Sequence, residues 1–166
     1  MAQPFDTPRM TEADYLAWAP TQARPHEYVE GRLYAMQEDV GAEPFELVDP
    51  RATVARNLAE ALNAHLSGTA CRAYMGDMRV YVPAAAAYLY PDVVVSCAGR
   101  TRPGRTPAAE PLVIADVPSP GAGSVYPGVR FAHYRRLPSL REYMLVDTRR
   151  CCVDLYRRGA DGLWEL

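Results

Sequence analysis

Two short runs of branched apolar residues, Val93-Val94-Val95 and Leu112-Val113-Ile114-Ala115, most constrain the fold. Asp92 precedes the first and Asp116 closes the second. Apolar runs this short read as central strands covered on both faces. Buried strands need neighbours beside them and helices over them. The expected class is therefore α/β (α+β), a central sheet with a helix on either side. The chain of 166 residues, 49% of them hydrophobic, suits one domain spanning 1–166, with residues 1–25 as a helical lead-in.

The remaining elements follow from spacing. Thr11 caps a short helix through Trp18. Glu27–Met36 alternates around Gly31 and reads as a hairpin or bent strand. Val54, Leu58, Ala61, Leu62 and His65 recur at helical spacing over about 51–66. Cys71–Val82 reads as one strand, with Met78, Val80 and Val82 on one face. Phe131–Leu137 reads as a helix that Pro138 stops, and Glu142–Asp147 with Cys152–Arg158 as a hairpin across Thr148–Cys151. Residues 98–111 read as one exposed loop whose Arg100, Arg102 and Arg105 could contact phosphate.

Every one of the 18 cationic residues is Arg. With no Lys, a P-loop lysine, a Schiff base and a kinase-type lysine are excluded. Residues 1–50 carry ten acids and three Arg, a charge of −7, and residues 51–166 carry ten acids and fifteen Arg, a charge of +5. A basic surface on the second half is one reading of that asymmetry; scattered solvated arginines are the other. The start lacks the charged and apolar regions of a signal peptide, and the longest apolar run, Val80–Tyr90, is broken by Pro83 and too short for a bilayer. The four cysteines form no C-x-x-C pair and read as buried thiols of a cytoplasmic protein, with a disulfide or a metal site as the alternatives.

Acids at the ends of buried strands are the natural place for chemistry in an open sheet. Asp92 and Asp116 qualify, and Glu27, at the start of a strand, is a third candidate. Neighbouring buried carboxylates need a cation or hydrogen bonds, and a hard divalent metal prefers oxygen ligands. Capping or turn acids are the competing reading for the two aspartates, and an exposed strand acid for Glu27. Glu30 and Asp77 are expected to face solvent, as is His26; His65 lies on the apolar helical stripe as a helix-end residue; His133 lies one turn from Arg130 and could face the same pocket, and Tyr134, four residues after Arg130, reads as core.

Four segments, in order, carry a resemblance: His26-Glu-Tyr-Val-Glu-Gly-Arg-Leu, Tyr90-Pro-Asp-Val-Val-Val, Leu112-Val-Ile-Ala-Asp-Val-Pro-Ser-Pro, and the stretch from Phe131 through Tyr143-Met-Leu-Val-Asp. Together they resemble the Uma-type restriction endonuclease family of bacteria, within the PD-(D/E)xK, restriction endonuclease-like superfamily. The resemblance implies a nuclease core that hydrolyses DNA phosphodiesters. Glu27, Asp92 and Asp116 would be its carboxylates for Mg²⁺ or Mn²⁺, and Arg130 would stand at the lysine position as charge stabiliser. It also implies a homodimer, since two symmetric sites cut two strands.

The sequence departs from the family pattern around that site. Asp116 replaces Glu and is shorter by about 1.5 Å. Arg130 replaces Lys and stays protonated, so it cannot act as a general base. Pro118 replaces an apolar residue, Ser124–Gly128 replaces charged residues, Arg51 replaces a helix-opening His, and the chain stops at Leu166, short of the usual family length. Three readings stay open: a Mg²⁺-dependent endonuclease with a degraded site, an inactive nuclease fold that binds nucleic acid or protein, and a scaffold subunit.

Overall fold

The computed structural model describes residues 9–36, 50–76, 78–98, 107–118 and 127–166. Three helices and two sheets make up the described fold, a mixed α/β core. Helix α1 (Glu12–Trp18) opens at Thr11, whose side chain accepts from the Asp14 amide at 3.2 Å. Strands β1 (His26–Val29) and β2 (Arg32–Ala35) form a hairpin whose turn, Glu30-Gly31, has φ of 49° and 87°. Positive φ at both positions matches the twist of the flanking strands.

Helix α2 (Pro50–His65) presents Ala55 and Ala59 at helical spacing, flanked by Val54, Leu58 and Leu62. It covers one face of the larger sheet, over Val93, Val95 and Ala115. The Asn63 side chain bonds both the amide and the carbonyl of Ala73, completing the edge of β3 (Arg72–Met75).

The larger sheet has the order β10-β9-β8-β7-β6-β3, with β6 (Val93–Ser96), β7 (Pro111–Asp116), β8 (Glu142–Asp147), β9 (Cys152–Arg158) and β10 (Trp164–Glu165). Only β7 and β8 are parallel among the pairs described, joined through α3 (Pro127–Tyr134). The smaller sheet has the order β2-β1-β5-β4, with β4 (Val80–Val82) and β5 (Ala87–Leu89). Between the sheets lies the main core: Val29, Met78, Val82, Leu89, Val94, Ile114, Tyr134 and Tyr143. Helix α1 closes the far side of the smaller sheet through a tyrosine stack, Tyr15 on Tyr28 with ring centroids 4.8 Å apart. No described helix is long and apolar enough to cross a membrane.

The structure corrects four expectations. Residues 71–82 are two strands in two sheets, because the chain turns at Gly76 (φ 77°). The cover on the second face of the central sheet is a second sheet with α3, not a helix alone, since four strands of residues 26–89 pair among themselves. Helix α3 begins at Pro127 and ends at Tyr134, ahead of the residues 131–137 expected. The pairing of Arg72 with Ser96 puts Cys71 across from Cys97, and these two form a disulfide; Cys151 and Cys152 are free but exposed rather than buried. Arg100, Arg102, Arg105, Asp77 and Ser124 lie outside the described residues.

Candidate functional site

Glu27, Asp92 and Asp116 converge, although 65 and 24 residues separate them in turn (92 − 27; 116 − 92). Glu27 is an inward-facing residue of β1 and is fully buried, so the exposed-strand reading of it is overturned. Asp92 sits in the turn between β5 and β6, and Asp116 ends β7 with 2% of its surface exposed. The strand ends bring the acids together because β6 and β7 are antiparallel neighbours, so the start of one meets the end of the other.

Arg130 lies among them, 5% exposed, on the first turns of α3. Its Nε donates to Asp116 Oδ2 at 3.0 Å and its Nη2 to Asp116 Oδ1 at 3.0 Å, a bidentate pair. Its Nη1 donates to Glu27 Oε1. Nη2 also points to the Tyr90 carbonyl at 2.6 Å and the Tyr134 hydroxyl at 3.1 Å. Tyr134 is four residues on and shares the helix face. Tyr143 on β8, diagonal to Asp116, donates its hydroxyl to Asp116 Oδ2 at 2.9 Å.

Asp92 is held separately. Arg51 donates to its Oδ1 through Nε at 3.0 Å and Nη2 at 2.8 Å, and the Val117 amide donates to its Oδ2 at 2.7 Å. That amide is free to do so because β7 ends at Asp116; Pro118 beyond it removes nothing from the ladder.

Burial and neighbouring charges shift the proton affinities of these groups. Burial pushes the Asp92 carboxyl up, and the nearby Asp116 charge adds to this against the pull of Arg51. Burial opposes the Arg130 charge, but Asp116 and Glu27 outweigh it and hold the guanidinium protonated well beyond its ordinary range. Burial and Asp116 push the Tyr143 hydroxyl up, so it stays a donor.

These residues, as arranged, do not fit Mg²⁺. The ion demands near-octahedral oxygen ligands at about 2.0–2.1 Å and keeps several waters. Both Asp116 oxygens already accept from Arg130, and Oδ2 accepts from Tyr143 as well. Among the described residues, no group of three or more His, Cys, Asp or Glu is arranged to hold a metal.

Sequence patterning singles out the three acids and Arg130 as candidates, and the fold brings all four together. The patterning treats Arg51 only as a departure from pattern and Tyr134 as core, and it misses Tyr143. Position i+4 from Arg130 was the available signal for Tyr134; Tyr143 reaches Asp116 only through the β7–β8 register. His26 packs edge-on against Trp18, His65 is an exposed helix end, and His133 is buried without joining the hydrogen bonds of Arg130.

An uncharacterised protein of Synechocystis (slr1290) is 29% identical over 157 residues, covering 95% of this chain and 78% of its own length. A second from the same organism (sll1609) is 27% identical over 159 residues, covering 95% of this chain and 85% of its own. Residues 12–166 match the Uma2 model, described as "Putative restriction endonuclease". With strands, acids and the match all running over the same stretch, the chain belongs to the Uma2 family.

Proposed function

We propose that this member of the family keeps the nuclease fold without hydrolysing DNA, and acts as a nucleic-acid binding module. One observation carries the reading: Arg130 donates to both oxygens of Asp116 and to Glu27, so the oxygens a metal would need are engaged from within. Metal-dependent hydrolysis needs a bound water of lowered pKa, and a guanidinium cannot take over as base.

Nucleic acid as the partner is supported by the family and by the exposed arginines of the second half. Arg135, Arg136 and Arg141 are exposed between the end of α3 and the start of β8, and Arg149 with Arg150 mark the β8–β9 turn; Arg157 pairs with Glu142 at 2.9 Å and Arg150 with Asp147 at 3.3 Å. Such groups give binding that is indifferent to sequence and steep in salt. A homodimer belongs to the same reading. The endonuclease reading draws on the convergence of Glu27, Asp92 and Asp116, and it requires Arg130 to leave two carboxylates.

Supercoiled plasmid incubated with the full chain and Mg²⁺, then Mn²⁺, beside Asp92→Ala, is the test. The expected result is intact plasmid in every lane, together with duplex binding that weakens steeply as salt rises. Metal-dependent cutting that disappears in Asp92→Ala would overturn the reading. Absence of salt-dependent binding would overturn its binding half.

A further inference from the structure

The disagreement between these residues and a divalent ion has a definite form. Five oxygens face the guanidinium of Arg130: both of Asp116, one of Glu27, the Tyr90 carbonyl and the Tyr134 hydroxyl. An all-oxygen shell with two carboxylates is what a hard cation takes. Here the cation is covalently tethered, planar and permanently charged.

We propose that Arg130 supplies in cis the cation around which this cage is organised, so that withdrawing the guanidinium turns the cage into a site for an added cation. This rests on the functional reading above. The cations it would take are those suited to oxygen ligands, Mn²⁺ or Mg²⁺, and free guanidinium ion, which has the shape of the group removed.

Two departures from the family pattern become one change in this light. Shortening Glu to Asp at 116 withdraws a carboxylate by about 1.5 Å. Replacing Lys with Arg at 130 puts a larger, forked cation opposite it. The bidentate contact at 3.0 Å on both oxygens is the result. A lysine ammonium is a point charge with no such fork and would leave carboxylate oxygens open.

The experiment follows thermal midpoints of the full chain and of Arg130→Ala, titrated with MnCl₂ or low guanidinium chloride, with NaCl at matched ionic strength as control. The Ala variant should be less stable and should recover saturably with either cation, by roughly 5–10 °C at about a hundredfold excess over the dissociation constant. The unaltered chain should not respond. Arg130→Lys keeps a buried charge and serves where the Ala variant does not fold; it should gain a Mn²⁺-dependent rise.

A folded variant blind to both cations would overturn the proposal, as would an unaltered chain stabilised as much as the variants. Failure of both variants to fold with either cation present counts against it equally. Plasmid cutting by the unaltered chain is a separate result, since it would overturn the functional reading whether or not the variants exchange cations.

Discussion

At the scale of the residue, the centre of this protein is a buried ion-pair network. Pairing such groups returns little net stability, but removing one partner strands a charge and typically costs about 3–5 kcal/mol. Asp116→Asn should therefore lower the unfolding free energy by about that amount in denaturant titrations, although the change is nearly isosteric. Tyr143→Phe removes one donor to the same carboxylate at 2.9 Å and should cost about 1.5–3 kcal/mol. A loss below about half a kilocalorie for Asp116→Asn would show that the pair bears no such weight. The residue types were legible in the sequence, because acids abutting apolar runs stand out. Their pairing was not: Arg130 lies 103 positions from Glu27 and meets it only once two sheets are stacked.

At the scale of the element, the strands at Val93–Ser96 and Pro111–Asp116 and the hairpin of β8 and β9 follow directly from runs and alternation. The smaller sheet does not, because 71–82 has strand character throughout and nothing in its period marks where it changes sheets. Gly76, at φ 77°, was the local signal. The β1–β2 hairpin was legible at Gly31, where φ is 87° and a Cβ would meet Arg9 Cβ and the Met10 carbonyl at 3.3 Å. Gly31→Ala should cost about 1–2 kcal/mol from the left-handed backbone alone, measured as a lower midpoint in urea.

Helix α3 carries a pH dependence. Burial, helped by Arg136, holds the His133 imidazole below its ordinary range, so the folded state keeps it neutral. The unfolded chain protonates first on acidification. The stabilising difference is thus complete above about pH 6.5 and is lost as pH falls through the lower folded-state value. His133→Leu should flatten the decline in urea midpoint between about pH 7 and pH 5. An unchanged slope would assign that decline to other groups.

At the scale of the whole molecule, the family could be read from four ordered segments because each bears an element of the core: β1, the β5–β6 turn, β7, and α3 with β8. The chemistry could not be read the same way. A family pattern records which positions face the site, whereas the occupant of the site depends on side-chain reach. Here Arg130 meets both carboxylate oxygens of Asp116 and one of Glu27, a pairing that the pattern does not record.

The most direct measurement is anomalous scattering from crystals of the full chain grown with Mn²⁺. The expected map has no manganese at coordination distance from Asp116 or Glu27, with the Arg130 guanidinium in place between them. Manganese bound to those carboxylates, with Arg130 turned away, would contradict the central claim.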